Sequence, residues 1–163
     1  MQEETHEETS VNTFNFSAMT IAAVLLSGVA ASAADFTVTP LKDGDSFTGC
    51  LAQNIDAGVG LLAVGDKVVL FANSAKFTIA KGDDVKGSWS VDGGAATDFS
   101  STADTAETAT VDVPNTTEAV MALTSGKTLT VKASSASVDF PLEGMEKAFM
   151  GLSECMQTQN APE

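Results

Sequence analysis

From about residue 35 onward, apolar and polar positions alternate in short runs separated by Gly, Asp and Asn, the period of half-buried strands. Residues 36–39 alternate and stop at Pro40, and residues 47–53 form a run that carries Cys50. The apolar runs 61–64 and 67–71 flank Gly65-Asp66, a hairpin signal. The same pattern predicts strands at residues 76–79, 85–91, around Phe99, at 108–113, 128–132 and 137–140. Within 85–91, Val85, Gly87, Trp89 and Val91 fall on one face. Lys42-Asp43-Gly44-Asp45, Lys81-Gly82-Asp83-Asp84 and Asp92-Gly93-Gly94 read as turns between these runs. Thr and other β-branched residues enrich the middle of the chain and favour sheet over helix.

Two segments depart from a period of two. Asn115 followed three residues later by Glu118, ahead of Val120, Met121 and Leu123, has the form of a helix start, and Gly126 stands where that helix would stop. Near the end of the chain, Met145, Ala148, Phe149, Leu152, Cys155 and Met156 fall on one helical stripe. The expected fold is mainly β. It is an antiparallel sheet or small β-sandwich of about eight strands, with a short helix and a C-terminal capping helix over residues 34–156. Residues 157–163 form a polar, flexible tail.

The first 33 residues do not belong to this pattern. An apolar stretch over 18–29 is too short to span a bilayer, which needs about 20 apolar residues. It is followed by Ala31-Ser32-Ala33, with small residues at the positions a signal peptidase reads, so cleavage before Ala34 is expected. Glu3, Glu4, Glu7 and Glu8 run against the positive start of a signal peptide, which points to translation beginning further in, at Val11. The expectation is therefore an exported protein, periplasmic or secreted, without stable membrane insertion after cleavage.

Charge narrows the set of partners. The chain has 22 acidic and 8 basic side chains, a net −14, and every basic residue is Lys. Loss of residues 1–33 removes four Glu and no Lys and leaves a net −10. Such a field repels phosphate backbones, and the bidentate fork of Arg is missing, so no nucleic-acid partner is expected. His6, the single His, lies in the segment to be removed. Without it, Ser–His–Asp and Cys–His nucleophilic sites have no base. No Ser-x-x-Lys and no phosphate-binding Gly loop is present.

Cys50 and Cys155 are the only cysteines. In an oxidising compartment an isolated pair reads first as a disulfide. Two buried free thiols are the alternative; a redox or metal role lacks both a Cys-x-x-Cys and accompanying His. If bridged, the cysteines would staple the C-terminal helix to an early strand.

Other candidates have ordinary readings beside them. The Asp-rich turns at 42–45 and 83–84 offer carboxylates for calcium, but neither matches an EF-hand loop and Asp-Gly makes turns anyway. Trp89, the single Trp, is a candidate partner contact, with a core position on the Val85–Val91 face as its counterpart. No catalytic residue, cofactor or metal site is expected.

The string Phe140-Pro141-Leu142-x-Gly144, continued by Ala148, Leu152 and Cys155, together with the strand through Trp89, Asp92 and Gly93, resembles the ending of small exported proteins of the invasion-associated locus B type. That resemblance implies a periplasmic or outer-surface factor and no active site. The leading expectation is a non-enzymatic binding or interaction protein with a protein partner in the cell envelope. The alternatives are an exported enzyme inhibitor, presenting residues 54–60 or 96–107, and a hydrolase working with carboxylates alone.

Overall fold

Side chains alternate across a strand, so each apolar row must find cover. Two antiparallel sheets meet that demand. The structure, a computed structural model, describes residues 35–162; the expected export signal at residues 1–33 lies outside them. The described residues form β1 (Thr37–Asp43), β2 (Ser46–Asn54), β3 (Val59–Val64), β4 (Lys67–Asn73), β5 (Asp84–Val91), β6 (Thr97–Thr102), β7 (Thr108–Asp112), α1 (Thr117–Ser125), β8 (Thr128–Ala133), β9 (Ala136–Pro141) and α2 (Met145–Thr158). Sheet A has the order β1-β2-β3-β4-β7, and sheet B the order β6-β5-β8-β9. The mainly β class with one short and one C-terminal helix is the observed one, with nine strands among the described residues.

The hairpins follow the turn chemistry. Val64 pairs with Lys67 across Gly65-Asp66, and Gly65 has φ 60°, the left-handed region that a two-residue hairpin needs. Pro40 does not end its strand as expected. It lies inside β1 opposite Cys50. β1 is an edge strand, and there a residue without an N–H costs no ladder bond.

Residues 76–79 are a correction: they form no strand. Phe77 and Ile79 are buried, yet the backbone around them bonds to other loops. The Phe77 N–H donates to the Ser74 carbonyl, and the Glu107 N–H donates to the Ile79 carbonyl. Farther along, the Gly82 N–H reaches the Ala103 carbonyl, and the Ala103 N–H reaches that of Asp83. Residues 74–83 and 103–107 thus brace one another, and Phe77 meets Phe140 with ring centroids 6.3 Å apart.

Both helices form where the pattern placed them. α1 begins one residue later than read: Thr116, not Asn115, is its N-cap, and its hydroxyl accepts from the Ala119 N–H. Gly126 does end the helix, but with φ −73° it is not there for a left-handed turn. A Cβ at that position would collide with Val91 and lie 2.6 Å from the Ala122 carbonyl oxygen. α2 runs to Thr158, two residues into the segment expected to be a flexible tail. Its Met145, Ala148, Gly151, Leu152 and Cys155 are buried, while Phe149 and Met156 are half-buried against the core.

The inner rows of both sheets and the buried face of α2 join in one core. In sheet A the inner positions near α2 are small: Cys50, Ala52 and Ala63 are all buried. α2 packs mainly on β2 and β1. A Cβ on Gly151 would come within 2.9 Å of the Val38 side chain, so helix and strand approach closely there. Cys50 and Cys155 meet across this contact in a disulfide with Cα atoms 6.2 Å apart. The closing helix is therefore tied covalently to the second strand.

Candidate binding surface

The outer faces of the two sheets differ in kind. In sheet B, outward positions include Lys86, Ser88 and Ser90 of β5, Asp98 and Ser100 of β6, Thr130 and Lys132 of β8, and Ser137 and Asp139 of β9. The Thr130 hydroxyl donates to Asp139 at 2.7 Å across the strands. This is the polar face of a sheet in water.

Sheet A keeps apolar side chains on its outer face as well. One cross-strand row runs Thr39, Leu51, Leu62, Val69 and Asp112, and the next runs Thr37, Gln53, Gly60, Phe71 and Thr110. Leu51, Leu62, Val69 and Phe71 are half-buried, and Val64 beside them is 47% exposed. The Phe71 ring lies over Gly60 so closely that a Cβ there would collide with it. Gly60 thus leaves the room that the ring tip occupies against the neighbouring strand.

Part of this face is a groove of about 350 Å³, whose floor is Leu62, Val69 and Phe71. Its rim is polar: Asn73, Thr108 and Thr110 from the sheet, Asp104 and Thr105 from the β6–β7 loop. The rim is pre-arranged. The Asn73 side-chain amide donates to the Thr108 hydroxyl at 2.9 Å and to the Glu107 carbonyl at 3.3 Å. The Thr105 hydroxyl also donates to Thr108, at 2.9 Å, and the Thr108 hydroxyl donates to the Ala106 carbonyl at 3.2 Å. The backbone bonds between residues 74–83 and 103–107 fix this loop from below. Asp104 is the one charged group in the lining.

The residues that stood out in the sequence lie elsewhere. Trp89 is 6% exposed, on the inner face of β5 opposite Val131 and Thr97. Its indole Nε1 has no hydrogen-bond partner, and its ring lines a second pocket under the start of α1, with Pro114, Thr116 and Ala119. Two turn aspartates, Asp83 and Asp92, hold backbone groups. The Asp83 carboxylate accepts from the Ala80 N–H, and the Asp92 carboxylate accepts from the backbone N–H groups of Lys127 and Thr128. Among the described residues no three His, Cys, Asp or Glu side chains gather as a metal-holding group. Of the two loops read as inhibitory, 54–60 is a tight turn only at 55–58, between the ends of β2 and β3: Asn54 is buried, its side-chain oxygen accepts from the Ala57 N–H, and Ile55 at the tip is 79% exposed. Most of 96–107 is taken up by β6 and the braced loop after it.

Leu62, Val69 and Phe71 were not singled out by sequence reasoning, because consecutive apolar residues look like a strand buried on both faces. A usable signal was present nonetheless. Runs 61–64 and 68–71 are apolar at successive positions, whereas 85–91 and 128–133 alternate with Ser, Thr and Lys. No protein-family model, curated protein or solved structure matches the chain.

Proposed function

We propose that the chain is an exported, non-catalytic binding protein of the cell envelope, periplasmic or secreted, that recognises its target through the outer face of sheet A. The observation that carries this reading is the apolar row Leu51–Leu62–Val69 with Phe71 on one outer face, opposite an outer face of Ser, Thr, Lys and Asp on the other sheet. Contiguous apolar surface on a water-facing sheet marks contact sites. Export is supported by the apolar segment and Ala31-Ser32-Ala33, and a disulfide agrees with an oxidising compartment. The lack of any His after residue 6 supports a non-catalytic role. The resemblance to invasion-associated locus B proteins points the same way. The test compares capture of envelope components by the native chain, Leu62→Asp and Thr130→Asp. Leu62→Asp should abolish capture and Thr130→Asp should leave it intact. A reproducible hydrolase activity lost on changing a single acidic residue overturns the reading.

The Ile55 turn favours one other reading, an inhibitor that inserts an apolar side chain into an enzyme cleft. Its backbone is held by the Asn54 side chain and by the Gly58 N–H, which donates to the Ile55 carbonyl at 3.1 Å. Screening against proteases and lysozymes, with Ile55→Asp as the control, separates it from the first.

A further inference from the structure

The geometry points to the groove on sheet A as a binding site for a neutral sugar unit, an inference that rests on the reading of this face as the recognition surface. At about 350 Å³ the groove is at the small end of ligand clefts, which run from roughly 300 Å³ upward. That is room for one or two sugar rings. Its layout suits a pyranose, which has a C–H face and an equatorial belt of hydroxyls. The negative face of an aromatic ring attracts weakly positive C–H groups, and Phe71, whose ring tip lies over Gly60, is the one aromatic side chain lining the groove. Leu62 and Val69 extend that apolar floor.

The rim supplies what hydroxyls need. The Asp104 carboxylate and the Thr110 hydroxyl have no partner among the described residues. A carboxylate accepts two hydroxyl protons in charge-assisted bonds, and Thr110 both donates and accepts. Asn73, held by its bonds to Thr108 and Glu107, keeps its side-chain oxygen as an acceptor. The lining contains no Lys. With Asp104 as the only charge, an anionic ligand gains nothing there, which excludes phosphates and uronic acids. A cation would find Asp104 but only one aromatic ring, short of the cage that ammonium recognition uses.

The experiment is amide NMR of the full disulfide-bonded chain titrated with cellobiose, maltose and N,N′-diacetylchitobiose, with choline and glucuronate as the cationic and anionic probes. At least one neutral disaccharide should give saturable shifts centred on Phe71, Asn73, Thr105 and Thr110. Phe71→Ala should weaken that binding by at least about tenfold, the scale of one lost stacking contact. Asp104→Asn and Thr110→Val, both at the rim, should each weaken it by about threefold, and they keep the test decisive if Phe71→Ala does not fold. Saturation by none of the three sugars, by choline alone, or equally by glucuronate overturns the inference. So does binding indifferent to the rim variants. Envelope capture that is lost in Leu62→Asp while every sugar fails overturns the sugar alone; capture indifferent to Leu62→Asp overturns the underlying reading of the face.

Discussion

Sheets A and B both bury an apolar inner row, but they differ in what they place outward. Sheet B places large residues inward, Trp89, Leu129, Val131 and Phe140, and polar or charged ones outward. Sheet A places Cys50, Ala52 and Ala63 inward beneath α2 and the disulfide, with Val59, Leu61 and Leu70 also inward, and it carries Leu51, Leu62 and Phe71 outward as well. Folding explains the inner rows of both. It does not explain the outer row of sheet A, because sheet B folds with Ser and Thr at the equivalent places. Residues that the fold does not require are the ones to examine for recognition.

Four experiments test the contrast between the two sheets. The largest effect should come from the bridge that closes sheet A. Replacing Cys50 and Cys155 together by Ala should lower unfolding free energy by up to about 4.7 kcal/mol in the chain-entropy picture, read by urea denaturation. Next come two neighbours on β3. Leu61 faces the core and is fully buried, so Leu61→Ala should cost about 2–5 kcal/mol. Leu62→Ala, one position along on the outer face, should cost about 1 kcal/mol or less. Equal costs would mean that the outer row is a second core rather than a free surface. Third, Asp92→Ala removes the carboxylate that holds the backbone between α1 and β8. It sits at φ 50° and is solvent-exposed, and its loss should cost about 1 kcal/mol. Last, Thr130→Ala breaks the bond to Asp139 on the outer face of sheet B and should change stability by no more than about 0.5 kcal/mol, with no effect on ligand capture.

Much of this molecule is legible in its sequence. Alternation located most of the strands, Gly65-Asp66 located a hairpin, and the stripe from Met145 to Met156 located α2. The pairing of Cys50 with Cys155 follows once that helix is laid on the sheet. The misses have physical causes. Residues 76–79 alternate like a strand because Phe77 and Ile79 plug the core from a loop, and periodicity records burial without recording where the backbone hydrogen bonds go. Pro40 looked like a strand end because sequence does not say which strand is the edge. The candidate groove was hidden for a similar reason. Leu61-Leu62 and Val69-Leu70-Phe71 place apolar side chains on both faces of a strand, and only the sheet order reveals that one of those faces lacks a covering layer among the described residues. Trp89 drew notice by its rarity, whereas its place on β5 is set by packing against Val131.

The most direct measurement places a photo-crosslinking side chain at Val69, on the outer face of sheet A, or at Ser88, on the outer face of sheet B, in otherwise native chains exposed to an envelope fraction. If sheet A carries the recognition surface, a discrete adduct forms from position 69 and none forms from position 88. Adducts from position 88 alone, or equal labelling from both, would contradict it.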